Sequence, residues 1–423
     1  MDRRMLEEVL SDQKNEMEKL MQTDFVYRRE EDLVHLDSRM AQVVIGVRRS
    51  GKSTLCCNVL KKSKVNFAYV NFDDERLFNL SSSDLNDVLE VLYKINGDFE
   101  HLFIDEIQNV DGWFLFVNRL LRNGMHILIT GSNAKLLSGE LATHLTGRHT
   151  QIELFPFSFS EYCDFFGVDK TSAATKQTAF RRAAFDSYMK TGGFPEMLSG
   201  SENSSYINTL VKNILETDIK NRYKVRYGAT LSKLAWHIMN VSPATINYTD
   251  MQNLFSLKSV HTAENYATYC RNAYLLLGLQ KYSVKSKFRI TNEKFYCVDV
   301  ALMNNRENAF AGENLGWRLE TLVFVELLRR FRPQMKDIYY YSDRSNEIDF
   351  VICDHNRVLA LYQVSYDISS EKTRKRELNA LVNVSEKLGC ADLYLITDHE
   401  YADITEKGRT IKIRPAYDWC CGV

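Results

Sequence analysis

The chain has 423 residues, which is too long for one ordinary hydrophobic core and predicts two to four domains. Apolar residues make up 45% of it and charged residues 26%, which excludes a disordered chain. The net charge of −1 excludes a strong overall attraction to nucleic acid, so any such binding needs local basic patches.

The sequence also predicts where the protein resides. Its first residues, MDRRMLEEVL, are charged and polar, unlike a signal peptide. No apolar run is long enough to span a bilayer, so we expect no membrane contact. Its nine cysteines show no C-x-x-C spacing, which indicates reduced thiols rather than a zinc or redox site. We therefore expect a cytoplasmic protein.

A phosphate-binding loop is the first motif along the chain. Residues 43–55 read VVIGVRRSGKSTL and satisfy the pattern G-x-x-x-x-G-K-[ST], between an apolar β-branched run and a predicted helix. Backbone N–H groups would surround phosphates at the helix N-terminus, Lys52 would reach the β- and γ-phosphates, and the Ser53 hydroxyl would ligate Mg²⁺. The residues expected to bind the nucleotide are Gly46, Arg49, Ser50, Gly51, Lys52, Ser53 and Thr54. The alternative, a glycine-rich turn with a surface lysine, does not account for this context.

An acidic pair follows a second apolar strand. In EHLFIDEIQ, Asp105 is expected in the Mg²⁺ shell, and Glu106 is expected to orient or deprotonate the attacking water. The pair lies about fifty residues after the loop, with a further predicted strand at 65–72 between them in sequence. This spacing and the second acid indicate a hydrolytic arrangement of the ASCE type.

Three other polar sites lie near predicted strands. Asn133, with Ser132, follows the strand MHILITG and is expected to sense the γ-phosphate, although Gly-Ser-Asn is also a turn signal. Asp73 and Asp74 would lie at the ligand-binding sheet edge or would cap a helix. Arg148 would contact phosphate or be solvated.

The order of motifs resembles a known family. GVRRSGKST, VNFDDERL, FIDEIQ, ITGSNAKLLSGELATHLTGR, LFPFSFSEY and GGFPEML occur in this order. The chain resembles the prokaryotic AAA-type ATPases that carry a C-terminal restriction-endonuclease-like domain of unknown function. The resemblance implies an α/β multidomain protein that uses ATP and Mg²⁺. Its expected parts are an ASCE/AAA-type three-layer α/β/α P-loop core at 1–155, a helical lid at 156–228, a winged helix at 229–305 and a restriction-endonuclease-like domain at 306–423.

Two features of the middle of the chain bear on function. Gly192 and Gly193, followed by Pro195, predict a hinge beside the nucleotide. The run Lys220, Arg222, Lys224 and Arg226 is interpreted as a solvated face.

Residues 229–305 have the outline of a winged helix-turn-helix. Between Asn265 and Asn292 there are five basic residues and no acid: Arg271, Lys281, Lys285, Lys287 and Arg289. A helix would read a groove of duplex DNA while the basic wing follows the phosphates. Packing against other protein parts remains an equal alternative.

The last part of the chain resembles a nuclease core with two departures. By position, Glu320 corresponds to the helix acid and Asp349 to the strand acid. Gln363 stands where a second strand acid belongs, and Ser365 stands where the lysine belongs. Glu320, Asp349 and Gln363 are thus a degenerate second metal site. Lys372 or Lys375 on the next helix would have to replace the missing ammonium.

Three functions stay open at this stage. The leading hypothesis is an ATP-hydrolysing switch coupled to a winged helix and a catalytically degenerate nuclease-like domain, associated with DNA or a protein partner. The second is an ATP-regulated, Mg²⁺-dependent DNA nuclease. The third is a protein-interaction adaptor that does not touch nucleic acid.

Overall fold

The computed structural model describes residues 2–131, 145, 147–200, 204–283, 293–303 and 314–422. The chain divides into two compact units, Met1–Leu154 and Phe155–Val423. In the described part, no helix is both long and apolar enough to cross a membrane.

The first unit is built on a five-stranded parallel sheet. Its strands are β1 (Ala41–Ile45), β2 (Phe67–Asn71), β3 (His101–Asp105), β4 (His126–Gly131) and β5 (His149–Glu153). Their order is β2-β3-β4-β1-β5. Both β1 and β3 are buried along their whole length, as expected for parallel strands covered on both faces. The strand inserted between β1 and β3 is β4, whereas the predicted strand at 65–72 forms the edge strand β2.

Four α-helices of the described residues accompany this sheet: α1 (Arg3–Gln22), α2 (Lys52–Ser63), α3 (Leu85–Asn96) and α4 (Trp113–Arg122). Leu55 and Leu60 of α2 pack with Val44 and Leu128 of the sheet in one buried cluster. The α1 side chain of Gln13 accepts the Asn71 N–H at 2.9 Å and donates to the Asn71 carbonyl at 3.0 Å. It thereby satisfies backbone groups that the edge strand β2 would otherwise present to solvent.

The second unit contains ten helices in the described ranges. They are α5 (Phe159–Phe166), α6 (Thr175–Thr191), α7 (Pro195–Leu198), α8 (Ser204–Asn213), α9 (Gly228–Val241), α10 (Tyr248–Leu254), α11 (Val260–Asn272), α12 (Leu315–Phe331), α13 (Glu371–Leu388) and α14 (Ala416–Cys421). A π-helical segment, Ile214–Asn221, continues α8.

Two sheets complete the second unit. A small antiparallel sheet has the order β6 (Ala244–Thr245), β8 (Lys294–Cys297), β7 (Leu276–Leu279). A six-stranded mixed sheet contains β9 (Asp337–Ser342), β10 (Glu347–Asp354), β11 (Arg357–Val364), β12 (Asp392–Thr397), β13 (Ala402–Glu406) and β14 (Arg409–Pro415) in the order β13-β14-β12-β11-β10-β9. The C-terminal mixed sheet agrees with the predicted α/β character of this region.

The two sheets of the second unit are packed together. Phe324 of α12 lies 4.3 Å from the Tyr296 ring of β8 and 5.6 Å from the Phe350 ring of β10, measured between ring centroids. After β7, the Tyr282 N–H donates to the Tyr340 carbonyl of β9 at 2.6 Å. The segments predicted as a winged helix and as a nuclease-like domain therefore share one core, and the boundary between them at residue 305 stays a prediction.

Gly192 and Gly193, the pair predicted as a hinge, are tightly packed. A Cβ on Gly192 would lie 1.9 Å from an Asp299 carboxylate oxygen, and one on Gly193 would lie 2.1 Å from the Phe157 carbonyl oxygen. The Gly193 N–H donates to the buried Asp299 carboxylate at 3.0 Å. Burial raises the pKa of Asp299 to about 6, although the N–H donors of Ala301 and Gly193 oppose the shift. Close approach explains why both positions are glycine, and the hinge stays a prediction.

We expect Gly193→Ala to lower the free energy of unfolding by about 2 kcal/mol or more, because the added methyl group overlaps the Phe157 carbonyl. Chemical unfolding measures this. Gly316→Ala is the matched control: it lies in α12 with nothing within 4 Å of the added Cβ, so it should stabilise the protein by up to about 1 kcal/mol. Equal effects of the two substitutions would contradict the packing explanation.

Candidate functional site

The loop between β1 and α2 needs glycine at two positions. At Gly46 the backbone has a φ of +154°, and a Cβ there would lie 2.0 Å from the Leu154 carbonyl oxygen. Gly51 is in the left-handed conformation, with a φ of +93°, at the N-cap of α2. These conformations bring the loop back to the N-terminus of α2, where the first helical N–H groups face outward along the helix axis.

Lys52 is folded back over this loop. The residue is only 6% exposed, and its Nζ donates to the carbonyl oxygens of Gly46 at 3.3 Å and Val47 at 3.1 Å. The ammonium group therefore lies inside the curve of the loop, the position expected for a phosphate-binding lysine.

Arg28 and Glu31, which precede β1 in sequence, hold the phosphate loop and α2 in place. Buried Arg28 donates from its guanidinium to the Ser50 carbonyl at 3.2 Å. The Glu31 carboxylate accepts from Asn58 at 2.7 Å and from Lys62 at 2.6 Å, both on α2. The motif analysis missed Arg28 and Glu31, because nothing in the local sequence distinguishes them from solvated charges.

Asp105 lies at the carboxyl end of β3 and is 5% exposed. Its carboxylate accepts a hydrogen bond from the Thr130 hydroxyl of β4. Burial, followed by the neighbouring Glu106 charge, raises the pKa of Asp105, while the hydroxyls of Ser53 on α2 and of Thr130 oppose the shift. The structure thus brings together the two predicted Mg²⁺ ligands, Ser53 and Asp105.

Glu106 follows in the left-handed conformation, with a φ of 51°, which turns the chain away from the strand. Its carboxylate accepts a hydrogen bond from the Gln108 side-chain amide. Asp73, after β2, interacts electrostatically with Arg48 and Arg49 of the loop and with Glu106. Asp73 is therefore part of this charged sheet edge, as one of its two sequence interpretations predicted.

The other polar residues predicted near the strands lie outside the nucleotide site or outside the described residues. Asp74 is a capping acid, because its carboxylate accepts a hydrogen bond from the Arg76 N–H at 3.0 Å. It also accepts one from the Gln13 side-chain amide at 3.1 Å. Arg148 precedes β5, and its carbonyl accepts the N–H of Ala41, the first residue of β1. It therefore lies at the end of the sheet opposite the loop and is exposed, which favours the solvated alternative, and the phosphate contact stays a prediction. Ser132 and Asn133 lie outside the described residues.

The predicted nuclease-like residues gather around a lysine from β8. Lys294 donates from Nζ to Glu320 Oε1 of α12 at 2.7 Å, and the Tyr296 hydroxyl donates to the same oxygen at 2.7 Å. Burial lowers the pKa of Lys294, but the Glu320 and Asp349 carboxylates outweigh it and raise the pKa overall. Sequence reasoning missed this lysine because its partner lies 26 residues further along the chain on another element.

Asp349 and Gln363 are bonded within the mixed sheet. The Asp349 carboxylate accepts the Val364 N–H at 2.8 Å, and the Asp349 N–H donates to Gln363 Oε1 at 3.2 Å. The Gln363 amide donates in turn to buried Glu377 at 2.9 Å. Burial, with the Glu320 charge next, raises the pKa of Asp349 well above its usual range.

These residues do not fit a nuclease metal site. Lys294 already supplies a cation to Glu320 and Asp349, and the Gln363 oxygen accepts a backbone N–H. Within the described ranges, no group of three or more His, Cys, Asp or Glu side chains could hold a metal ion. Ser365 donates its hydroxyl to the Asp367 carbonyl at 3.3 Å, and Lys372 is exposed. Exposed Lys375 pairs with Glu371 at 2.6 Å, so neither helix lysine supplies the missing ammonium.

Only part of the predicted basic wing is described. Lys281 forms a β-bridge with Tyr340 of β9, which places its backbone against the mixed sheet. Arg271 pairs with Glu293 at 2.8 Å. Lys285, Lys287 and Arg289 lie outside the described residues.

The loop, the buried lysine and the acid at the end of a parallel strand define the first unit as a P-loop ATPase domain of the AAA type. In agreement, the family model described as an AAA domain matches residues 38–163. Two domains of unknown function, DUF8612 and DUF4143, match residues 182–312 and 315–415.

Two relatives cover most of this chain. An uncharacterized protein of Methanocaldococcus jannaschii is 34% identical over 394 residues, which are 89% of this chain and 87% of that protein. An uncharacterized protein of Haemophilus influenzae is 31% identical over 349 residues, 78% of this chain and 84% of that protein. The chain belongs to the same family as these two relatives.

Solved structures give only a weak likeness. The Holliday junction branch migration motor RuvB of Thermotoga maritima is 15% identical, and the match covers 63% of this chain and 89% of that chain with a TM-score of 0.26. A TM-score this low carries no argument about this chain.

We expect Lys294→Met to lower the free energy of unfolding by about 3–5 kcal/mol, because it leaves the Glu320 and Asp349 carboxylates buried without a cation. The double variant Lys294→Met with Glu320→Gln should recover part of this loss, and chemical unfolding of the single and double variants measures the coupling.

Lys412→Met is the control, because Lys412 pairs with Asp392 at the surface and its loss should cost at most about 1 kcal/mol. Additive effects of the Lys294 and Glu320 substitutions would contradict the ionic cluster.

Proposed function

We propose that the protein binds and hydrolyses ATP with Mg²⁺ and acts as a nucleotide-dependent switch associated with duplex DNA. One observation carries the ATPase part of the proposal. Buried Lys52 and buried Asp105 lie at the same end of the sheet, and the Ser53 side chain is close enough to lower the pKa of the Asp105 carboxyl. A lysine, a hydroxyl and a carboxylate at the N-terminus of a helix are the chemical groups that hold a nucleotide triphosphate and its cation.

Each residue of the site then has a defined task. Backbone N–H groups of residues 49–54 would hold the phosphate oxygens, and Lys52 would exchange its bonds to the Gly46 and Val47 carbonyls for bonds to those oxygens. Ser53 and Asp105 would hold Mg²⁺, which neutralises charge on the β- and γ-phosphates when it is bound.

Glu106 would act on the attacking water. Its carboxylate is bonded to Gln108, so it has to release that amide before it can accept a proton from the water. Asn133 remains our candidate for the γ-phosphate sensor.

Two features support the predicted parts of the second unit. The order α9, β6, α10, α11, β7, β8 is that of a winged helix-turn-helix, which supports contact with duplex DNA. The order α12, β9, β10, β11, α13, β12 is that of a restriction-endonuclease-like core. Because Lys294 supplies the cation to its acids, we infer that this domain binds or supports structure and does not cut DNA. The described residues offer no observation that favours cleavage.

Steady-state ATP hydrolysis with and without duplex DNA tests the proposal. Wild type should release phosphate, DNA should change the rate, and Glu106→Gln should lower kcat by about 10²–10⁴ because it removes the base. Glu100→Gln is the matched control, because Glu100 is an exposed acid that precedes the first residue of β3, at the opposite end of that strand.

The alternative results are distinct. If Mg²⁺-ATP binds but is not hydrolysed, the enzyme part of the proposal is wrong. If hydrolysis is insensitive to DNA, the partner is a protein and the adaptor hypothesis replaces DNA association.

A further inference from the structure

A basic segment follows the π-helical turn of the second unit. Residues 219–249 contain five basic side chains and no acid: Lys220, Arg222, Lys224, Arg226 and Lys233. The sequence alone indicates a solvated face here. The contacts of the segment indicate something more specific.

Aromatic stacking fixes the first half of this segment against α11. The Tyr223 ring lies 3.8 Å from the Tyr269 ring, with 9° between their planes. The Asn272 amide donates to the Tyr223 hydroxyl at 3.1 Å. Arg222 lies over the Tyr223 ring, 5.1 Å from its centroid. The basic side chains that follow are therefore presented by a backbone held to the predicted recognition helix.

A second tyrosine, Tyr227, has cationic side chains from two segments beside its ring. Tyr227 is 48% exposed. The Arg226 guanidinium lies 5.7 Å from its ring centroid, and the Lys258 ammonium lies 5.9 Å from it. Lys258 comes from the turn between α10 and α11, just before the first helical turn of α11. Cation–π attraction thus holds one positive group from each segment beside the same ring.

Three exposed cationic side chains of these segments have no acidic partner among the described residues. Lys224, Arg226 and Lys258 are exposed. Among the described residues, no carboxylate lies within salt-bridge distance of these three side chains, whereas nearby Lys220 pairs with Glu216 at 2.5 Å. An approaching polyanion would relieve their mutual repulsion without displacing an existing ion pair.

Ring geometry favours duplex DNA over a single strand. Single-stranded binding uses open aromatic faces on which bases stack. Here Tyr223 and Tyr269 cover each other, and Tyr227 has cations above its ring. The accessible feature of this region is its positive charge, which lies beside the turn before α11. In a helix-turn-helix protein, the phosphates of a duplex lie beside the helix that is inserted into the groove.

We infer that Lys224 together with Arg226 and Lys258, the two cations beside the Tyr227 ring, bind backbone phosphates of duplex DNA. We call these four residues the Tyr227 surface. The inference rests on the DNA association proposed above and deepens it, because it assigns the contact to described residues outside the predicted wing.

The test compares two triple variants in the full-length protein. Lys224→Ala, Arg226→Ala and Lys258→Ala remove the charge of the Tyr227 surface. Arg344→Ala, Lys372→Ala and Lys375→Ala remove the same charge from exposed positions elsewhere in the same unit. Fluorescence anisotropy with a random-sequence duplex of roughly 20 base pairs, at about 50 to about 200 mM salt, gives the affinity and its salt dependence.

We expect the Tyr227-surface variant to lose at least about tenfold in affinity and to reduce the slope of log affinity against log salt by about 2.7, that is about 0.9 for each lost phosphate contact. The control should keep the wild-type slope. Basal ATP hydrolysis and thermal unfolding of both variants should match wild type, because none of the six residues belongs to the nucleotide site.

Three results would overturn the inference, and they separate it from the broader proposal. Unchanged affinity and slope in the Tyr227-surface variant would reject the surface but keep DNA association. Tighter wild-type binding to a single strand than to a duplex would reject the assignment to duplex phosphates. Absence of duplex binding by wild type would reject both the surface and DNA association, while leaving ATP hydrolysis as a separate question.

Discussion

The nucleotide site depends on the order of strands in the parallel sheet. Because β4 lies between β1 and β3, the phosphate loop and Asp105 are separated by two strand spacings, about 10 Å. Thr130 on β4 lies in this interval and hydrogen-bonds to Asp105, and Ser53 on α2 is close enough to lower the pKa of the same carboxyl. A gap of this width is large enough for phosphates and a cation. If β3 paired directly with β1, the loop and the acid would be too close together.

A second constraint holds the other unit together. Lys294 extends from the small sheet to the acid of α12 and is close enough to Asp349 of the mixed sheet for strong electrostatic attraction. One buried ammonium therefore balances carboxylates from two elements, and the aromatic stack of Tyr296, Phe324 and Phe350 surrounds them. The same residues that resemble a nuclease centre serve here as an ionic link within one core. A likeness of sequence positions therefore does not by itself imply cleavage.

Local patterns predicted much of the fold and part of the nucleotide site. The loop motif and the acid after an apolar strand are short-range signals, and the parallel sheet and the C-terminal mixed sheet followed from them and from the family resemblance. What could not be predicted depends on contacts distant in sequence. The Lys294–Glu320 pair, the Arg28 contact with Ser50 and the packing of Gly192 on Asp299 each join residues whose neighbours give no sign of the partner. The basic run at 220–226 was interpreted as solvated because stacking of Tyr223 on Tyr269 is invisible along the chain.

We propose that the bound nucleotide sets the affinity for DNA. Glu106→Gln, which should bind ATP without hydrolysing it, allows the affinity for one duplex to be measured at saturating Mg²⁺-ATP and at saturating Mg²⁺-ADP. A switch predicts affinities that differ by at least about fivefold, and DNA must change the ratio of ATP affinity to ADP affinity by the same factor because coupling is reciprocal. Equal affinities in the two nucleotide states would contradict the switch, even in a protein that hydrolyses ATP.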